Sequence, residues 1–512
     1  MRYAVKAEEM KQIDSYSIEQ IGLPSVVLME RAALTVAFNI ENIATKEGKI
    51  LVVCGTGNNG GDGIAIARIL HQKGYKVDFI ILGDMDKLTE ESKLQLFIAK
   101  NLGMCICSKF LPNEYNIIVD AIFGIGLKKD IEGEYQKVIE SMNDSDAYIV
   151  SVDVPSGVDA TTGKIKNIAV EADLTVTFGE NKLGLILFPG SSYAGKVVVE
   201  DIGFPKEAFD AISPKYHYFE KDDLKRIPKR YSYSNKGSYG KVLIIAGSTN
   251  MTGAAYLSAK AAYHMGCGLV KVLTSNEGVK VIRTLLPEAI YASYEVDNLE
   301  TVMSDAIRWA DAIVIGPGLS TDKKSKQLLN LLWKEEPKPT VYDADALQIL
   351  SNDLNDKNSD GITSRIRELS FVLPENSVLT PHLKELANLL SCTVEDIIKG
   401  FIDFPEYCTY NNKLIYVIKD ARTIVAHREK RYINVSGNHG MATGGSGDVL
   451  TGIIAGLIAS GLKNYEAAEL GVYIHGLAGD VAAEKKGYHS MLASDILEAL
   501  PEVIRENERR SI

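Results

Sequence analysis

Three segments in the first half of the chain end an apolar run on groups that can bind ions or move protons: VVCGTGNNGGDG (52–63), IIVDAIFGIGLKKD (117–130) and VSVDVPSGVD (150–159). The first matches G-x-G-x-x-G through Gly55, Gly57 and Gly60, a spacing that sets backbone N–H groups and the positive end of a helix where a phosphate could sit. A dinucleotide site usually carries small residues between those glycines. Here they are Asn58 and Asn59, with Asp62 at the start of the helical pattern. Amide oxygens and a carboxylate suit ribose hydroxyls or a cation, whereas an acid repels phosphate. The dinucleotide fingerprint also wants an acid at the end of the second strand, and Asp84 lies late for that. In open α/β sheets ligands bind beyond the carboxyl ends of the strands, so Asn59, Asp120 and Ser156 are expected to converge on one crevice as an oxygen set for a hard cation. Asp at such places also caps helices. Three strand ends with the same habit favour the site.

The second half carries a different chemistry. In NHGMATGGSGDVLTGIIAGLIASG (438–461), Gly444, Gly445 and Gly447 open a helical pattern, and their N–H groups can stabilise a transferring phosphoryl group. Asp448 falls in the first turn, where the helix dipole is expected to keep it ionised and able to accept a proton from a substrate hydroxyl. No Gly-Lys-Ser/Thr follows, so this is not a Walker loop. An Asp that merely caps a glycine-rich helix is the alternative. In SVLTPHLKEL, Thr380 is the expected N-cap and Pro381 the first helical residue, which would fix His382 and Glu385 near a helix start, with Glu385 able to reach a Mg²⁺ shell through water. KDART (419–423) precedes a short strand, GPGLS sets Gly316 and Gly318 at a strand end, and TGAAYLSAKAA sets Gly253 and Ala254 at a helix start.

The elements that must hold these groups follow from periodicity. Two helical patterns, about 7–21 and 25–45, the latter entered through Pro24, precede strand-like KILVVC, KVDFIIL, YNIIVDAIFG and AYIVSVDVPSG; helical GIAIARILHQKG and TEESKLQLFIAKNL lie between them. That alternation predicts βαβ units and a parallel sheet covered on both faces. It lapses from about Pro205 to Gly237, in a polar, aromatic, lysine-rich stretch read as a connector over 211–235. A second alternation runs through GKVLIIAGS, GLVKVLT, ADAIVIGPGLS, PTVYDADAL and SVLTPHLKEL; the short strands LIYVIKD, RTIVAHR and KRYINVS and a helical tail from Gly445 follow. No internal repeat aligns the halves. The expectation is two different α/β domains, 1–210 and 236–512, as 512 residues exceed what one core usually serves.

Composition sets outer bounds. Apolar residues make up 46% and charged residues 24%, which is ordinary for a globular protein, and no apolar run reaches bilayer length. The start MRYAVKAEEMKQ lacks the apolar core of a signal peptide, so the cytoplasm is the expected compartment and no membrane partner is expected. A net charge of −11 without clustered Lys and Arg argues against a nucleic-acid surface. Six scattered cysteines, with Cys105 and Cys107 lacking a second pair at zinc spacing, read as reduced thiols.

Taken together, GTGNNGGDG, VDAIFGIGL and VDVPSGVDA resemble the epimerase domain of the NAD(P)H-hydrate repair enzymes. The resemblance implies a Rossmann-like fold that binds the hydrated nucleotide, potassium held by Asn59, Asp120 and Ser156, and substrate contacts from Asn58, Asn59, Gly60, Gly61 and Asp62, from Gly124, Ile125, Gly126, Leu127, Lys128, Lys129 and Asp130, and from Asp153. R and S forms at C6 of NADH or NADPH hydrate would interconvert by ring opening and reclosure, with Asp153 as acid/base and Lys128 assisting electrostatically. GSYGKVLIIAGS, VYDADAL, LTPHLKEL and GMATGGSGD resemble the dehydratase domain of the same system, within the ribokinase-like superfamily. That implies Asp448 as catalytic base, hydrate contacts from Ala254, Gly318, His382 and Asp448, and nucleotide contacts from Lys419, Asp420, Ala421, Arg422, Thr423, Gly444, Gly445 and Gly447. Mg²⁺ with ADP or ATP is the implied cofactor, ADP being favoured. The family commonly has Pro where this chain has His439, a difference expected to be conformational.

The reading is thus a bifunctional repair enzyme that acts on small molecules and forms a homo-oligomer, since large apolar helices in both halves leave room for a symmetric assembly. Two other readings are a vitamin-precursor or sugar kinase fused to a nucleotide-binding sensor, and a scaffold whose first domain has lost catalysis.

Overall fold

Strands buried on both faces read as unbroken apolar runs, and alternate residues of one strand then serve two cores. KILVVC does this: Ile50, Val52 and Cys54 join one buried cluster, Leu51 and Val53 another. In the second half, Val242 and Ile244 face one cluster and Leu243 and Ile245 the other. The computed structural model describes residues 1–356, 361–409 and 413–510, and divides into two units, Arg2–Tyr216 and His217–Ile512 together with Met1. The last two residues of the expected 236–512 domain lie outside the described ones.

The strands of the first unit are β1 (Arg2–Val5), β2 (Lys49–Cys54), β3 (Lys76–Ile81), β4 (Ile117–Ala121), β5 (Tyr148–Val152), β6 (Leu174–Phe178), β7 (Asn181–Lys182) and β8 (Lys196–Glu200). Six of them form a parallel sheet in the order β3-β2-β4-β5-β6-β8. The order reverses between β2 and β4, so the crevice expected at a topological switch point opens between the strands that lead to Asn59 and to Asp120. Sequence periodicity did not mark β6 and β8. LTVTF interrupts its apolar face with Thr175 and Thr177, both buried, and Thr175 spends its hydroxyl on Ala194 O at 2.7 Å.

The helices Ala7–Glu19 and Ser25–Glu41 form as expected, the second with Pro24 as its N-cap. The helix after β2 differs from expectation. It spans Asn58–Gln72 and begins five residues before GIAIARILHQKG, so Gly60, Gly61 and Gly63 lie within it. These glycines allow close packing. A Cβ on Gly60 would meet Gly55 O at 1.9 Å, and one on Gly63 would meet Ala121 Cβ at 2.5 Å.

The short strand β9 (Tyr216–Tyr218) spans the division between the units. The second unit contains β10 (Lys241–Ile245), β11 (Leu269–Thr274), β12 (Ile290–Ser293), β13 (Ala312–Ile315), β14 (Thr340–Tyr342), β15 (Val378–Leu379), β16 (Ile415–Ile418), β17 (Ile424–His427) and β18 (Lys430–Ile433). They follow the order β12-β11-β10-β13-β14-β15-β16-β17-β18, parallel as far as β16 and antiparallel beyond. Both units are α/β, as the alternation requires. The helical tail resolves into Ser446–Ala459, Asn464–Lys486 and Ala493–Arg510. Within the connector stretch, Phe219 and Leu224 are buried in the same cluster as Tyr432 and Tyr473. The six cysteines are free thiols, and among the described residues no helix is long and apolar enough to cross a membrane.

The packing of the Asn58–Gln72 helix is directly testable. Gly63→Ala forces a methyl to within 2.5 Å of Ala121 Cβ and 2.9 Å of Cys54 Sγ, and should destabilise the first unit by ~1–3 kcal/mol in urea unfolding. Gly57→Ala, whose Cβ meets nothing within 4 Å, should shift the same transition far less.

Candidate active sites

In the first unit the expected ion-binding residues do come together. Asp120 is fully buried at the end of β4. Its Oδ1 accepts the Ser156 hydroxyl at 2.5 Å and the Ile122 N–H at 3.3 Å; its Oδ2 accepts the Ser156 N–H at 2.8 Å and the Ser151 hydroxyl at 2.9 Å. Burial pushes this carboxyl up, and those donors oppose the shift. Ser156 Oγ also receives the Phe123 N–H at 2.8 Å and lies 3.2 Å from Phe123 O. Asn59 packs against the same turn, since a Cβ on Gly124 would stand 3.3 Å from its Oδ1. The Asn59 Nδ2 is buried without a hydrogen-bond partner among the described residues. Amide oxygen and nitrogen are told apart only by their partners, so this side chain is equally able to present its carbonyl. No cluster of three or more His, Cys, Asp or Glu able to hold a metal ion occurs among the described residues. A cation here would be held by neutral amide, hydroxyl and carbonyl oxygens around one carboxylate, a set that suits a weakly charged hard ion.

Above this cluster opens a cavity of about 1190 Å³, lined by Asn58, Asn59, Asp62, the run Gly124–Asp130 and Asp153. Gly60 and Gly61 do not line it. Their lack of side chains serves packing instead: a Cβ on Gly61 would meet Ser92 Oγ at 2.6 Å and Met29 Cε at 2.7 Å. Lys128 is exposed and lines the same cavity. Asp153 follows β5 in a left-handed conformation, φ 67°, and its N–H donates to Val176 O at 2.8 Å. Its Oδ1 accepts the Thr177 hydroxyl at 3.0 Å and lies 2.6 Å from Lys182 Nζ.

Sequence reasoning missed Lys182 and Asp14, both of which line the cavity. Lys182 could have been suspected as a charge set directly before the apolar LGLILF. Asp14 gives no signal, being one of several acids on an amphipathic helix. Burial pushes the carboxyls of Asp14 and Asp62 up, and the charge of Asp153 adds to both shifts.

In the second unit the strand ends assemble a compact charged site. Asp343, buried after β14, accepts the Thr380 hydroxyl at 2.7 Å and pairs through the same oxygen with Lys419 Nζ at 2.8 Å. Ala344 between the two aspartates of DAD has φ 46°. The expectation of a Thr380 N-cap is incorrect. The helix is Leu383–Leu390 and His382 caps it, its Nδ1 accepting the N–H groups of Lys384 and Glu385 at 3.1 and 3.2 Å. Thr380 is withdrawn to Asp343, which needs a donor because it is buried. Glu385 closes the capping box on the His382 N–H at 2.8 Å.

Gly445 is the N-cap of helix Ser446–Ala459 at φ 91°, a conformation open to glycine, and Asp448 falls in the first turn. A Cβ on Gly447 would stand 3.3 Å from Lys419 Nζ and 3.7 Å from Asp343 Oδ2, so the glycine loop lies directly over the ion pair. The helix dipole does not hold Asp448 low, contrary to expectation. Burial raises it to about 7, the charges of Asp343 and Asp345 adding and Lys419 opposing. Burial also raises Glu385. For Lys419, burial acts downward but Asp343, Glu385 and Asp448 outweigh it, and its ammonium is held above its usual value.

Other expected residues take distinct places. A Cβ on Gly318 would meet Ala254 Cβ at 2.9 Å, so the two are neighbours. Asp420 to Thr423 lead from Lys419 into β17; Thr423 O accepts the Asn434 N–H at 2.9 Å, and Arg422 donates to Val435 O at 3.3 Å. Gly444 has open space around it. His439 packs against Tyr488, with ring centroids 4.3 Å apart and the planes tilted by 35°. Asp343 and Asp345 were seen only as part of a strand end; two acids flanking one small residue after an apolar strand were the available signal. His475 lies 3.3 Å from Ser446 Oγ, and burial lowers it to about 4.

Asp448 makes a stability prediction. A carboxyl raised to about 7 in the folded state binds a proton that the unfolded chain has released above about 4, so folding loses stability as pH rises through that window. Asp448→Asn should therefore be more stable than the wild type at pH 8 by a few kcal/mol, an advantage that shrinks toward pH 4, read as the difference in Tm across pH.

Comparison with known proteins matches both halves in order. The family model described as "YjeF-related protein N-terminus" covers residues 25–184, and that described as "NAD(P)H-hydrate dehydratase" covers 242–502. A bifunctional NAD(P)H-hydrate repair enzyme of Moorella thermoacetica is 36% identical over 536 residues, covering 99% of this chain and 97% of its own. One from Thermofilum pendens is 34% identical over 518 residues, covering 98% and 96%. Among solved structures, a ribokinase-like superfamily protein of Enterococcus faecalis is 29% identical with a TM-score of 0.50, covering 57% of this chain and 96% of its own. With two differently built sites in two α/β units and relatives matched end to end, this chain belongs to the bifunctional NAD(P)H-hydrate repair enzymes.

Proposed function

We propose that the chain repairs hydrated NADH and NADPH in two steps, epimerising R and S forms at C6 and then dehydrating the S form through phosphorylation of its C6 hydroxyl by ADP or ATP. The observation that carries the reading is Asp448, a half-buried carboxyl at a glycine-opened helix start, next to Gly447, which lies over the Lys419–Asp343 pair, and within reach of both their charges. The first activity is assigned to residues 1–210 and the second to 236–512, with 211–235 as connector. A cytoplasmic homo-oligomer is the setting proposed.

In the second unit, Asp448 takes the proton of the C6 hydroxyl as that oxygen attacks the terminal phosphorus. The N–H groups of Gly444, Gly445 and Gly447 receive the charge that develops on the phosphoryl oxygens. Lys419 supplies a cation at the same place, and Asp343 holds it there. Lys419 to Thr423 contact the adenine nucleotide, and Ala254, Gly318, His382 and Asp448 the hydrate. Phosphate then leaves with the former hydroxyl oxygen and the C6–O electron pair, and the C5=C6 double bond re-forms from the electrons of a C5–H bond whose proton passes to solvent. Mg²⁺ accompanying the nucleotide would neutralise charge on its phosphates, with Glu385 reaching its water shell. A base with a proton affinity near neutrality matches this task. ADP is the favoured donor.

In the first unit, Asn58, Asn59, Asp62, Gly124–Asp130 and Asp153 bind the hydrated nicotinamide nucleotide in the 1190 Å³ cavity. Asp153 moves the proton at the C6 hydroxyl and Lys128 supports developing charge. Asn59, Asp120 and Ser156 hold K⁺, which would supply fixed positive charge beneath the substrate; the orphaned Asn59 amide and the oxygen-only donor set support that ion.

The kinase-plus-sensor reading is separated by incubation of the full chain with hydrated NADH and ADP, then ATP. Return of the reduced-nicotinamide absorbance is expected; phosphorylation of another alcohol without that return would overturn the proposal. Asp448→Asn should lower dehydration by about 10²-fold or more and leave epimerisation intact, while Asp153→Asn should do the reverse. Loss of both activities in either variant would contradict independent sites. Exchange of K⁺ for Na⁺ should slow epimerisation alone.

A further inference from the structure

Lys182 is an unusual lysine. It is 1% exposed, and its ammonium has three protons to place. All three find acceptors: Asp153 Oδ1 at 2.6 Å, Thr177 Oγ1 at 2.8 Å and Phe178 O at 2.7 Å. The Thr177 hydroxyl in turn donates a hydrogen bond to Asp153 Oδ1 at 3.0 Å, so two donors converge on one carboxylate oxygen. A lysine so saturated has nothing left with which to grip a ligand, and it acts only through Asp153. Asp153 in turn is pinned by its backbone in a left-handed conformation.

Asp153 shares its cavity with two further acids. Asp62 stands one helical turn beyond Asn58, on the face of the Asn58–Gln72 helix that lines the cavity, and Asp14 lines it from helix Ala7–Glu19. Besides Lys182, the other charged groups on its walls are Lys11, Glu91, Lys128, Lys129, Asp130 and Glu132, and Glu91 accepts the Ser25 hydroxyl at 2.6 Å. Burial pushes the carboxyls of Asp14 and Asp62 up, and the charge of Asp153 adds to both shifts. Of the three, Asp153 is the one that meets an ammonium, Lys182 Nζ at 2.6 Å. Groups with proton affinities driven apart by their surroundings are the arrangement that acid–base catalysis requires.

We propose that Lys182 is the positioning residue of epimerisation, holding Asp153 as the base, and that Asp62 is the acid that works against it. This deepens the epimerase reading and rests on it. Asp153 takes the C6 hydroxyl proton; the O–H electron pair becomes the second bond of a C6 carbonyl, the C6–N1 bond breaks with its electrons on N1, and Asp62 protonates N1. After rotation about C5–C6, N1 attacks the other face of the carbonyl, gives its proton back to Asp62, and the oxygen recovers its proton from Asp153. Both residues end as they began, and no other reactant is consumed.

The test follows conversion of pure R hydrate to S hydrate by the full chain, without adenine nucleotide, across pH. Lys182→Met should lower kcat by about 10²-fold with KM changed less than about threefold, and move the acid limb of the profile up by about one pH unit or more, because Asp153 then holds its proton longer. Lys182→Arg, which keeps the charge, should recover much of the rate. Asp62→Asn should lower kcat by about 10²-fold and remove the basic limb. An unmoved acid limb in folded Lys182→Met overturns the role of Lys182, and loss of the basic limb in Asp14→Asn in place of Asp62→Asn overturns that of Asp62. If Lys182→Met fails to fold by circular dichroism, Thr177→Val keeps the lysine and removes one donor; a smaller shift of the acid limb in the same direction is expected, and no shift overturns the proposal. A wild type that does not interconvert the epimers defeats the underlying epimerase reading instead.

Discussion

A carboxylate can work in a desolvated site only if a nearby cation answers its charge, and each unit meets that constraint with one buried Asp–Lys pair. In the first, Lys182 sits 2.6 Å from Asp153; in the second, Lys419 sits 2.8 Å from Asp343. A buried ion pair is weak evidence for stability, because desolvating both charges offsets most of their attraction. Its value lies in what it does to the neighbours. Burial pushes Asp14 and Asp62 up in the first unit and Asp448 and Glu385 in the second, and the charge of the lysine-paired carboxylate adds to each shift. Each site therefore sets one lysine-paired carboxylate beside carboxyls that hold their protons more tightly than usual.

The folds explain how such residues meet despite wide separation in the chain. Parallel sheets send every strand toward the same edge, so the segments after β2, β4 and β5 share one crevice, and those after β14, β15 and β16 share another. Small residues then let helices close over these edges. Within the Asn58–Gln72 helix the glycines admit β2 and β4; at Gly447 the missing side chain leaves the loop open above Lys419. The two uses of glycine differ. One is close packing of helix on sheet, the other an open approach to a charged site.

Legibility followed the same physics. Elements with strong period showed themselves, because unbroken apolar runs such as KILVVC and IIVDA have few alternatives to a buried strand. β6 was hidden by Thr175 and Thr177, whose buried hydroxyls satisfy partners that only the fold supplies. The oxygen set of Asn59, Asp120 and Ser156 was readable because each residue lies at or a few residues beyond the carboxyl end of a strand. Lys182, Asp14 and Asp343 were not, since their importance comes from a partner brought near by tertiary structure. The Thr380 error has the same origin: a threonine before Pro-His is a sound N-cap in isolation, and a buried carboxylate took its hydroxyl away. At Asp448 a local rule about helix starts was not enough, because burial and the charges of Asp343 and Asp345 raise the carboxyl.

The central claim is that the second unit makes an alcohol oxygen into phosphate. It is tested most directly by hydrate carrying heavy oxygen at its C6 hydroxyl, incubated with ADP and Mg²⁺, with the released products weighed by mass spectrometry. The account predicts that the label leaves in inorganic phosphate as the reduced coenzyme appears. Label found in water, with unlabelled phosphate, would mean that the hydroxyl departs without ever meeting phosphorus.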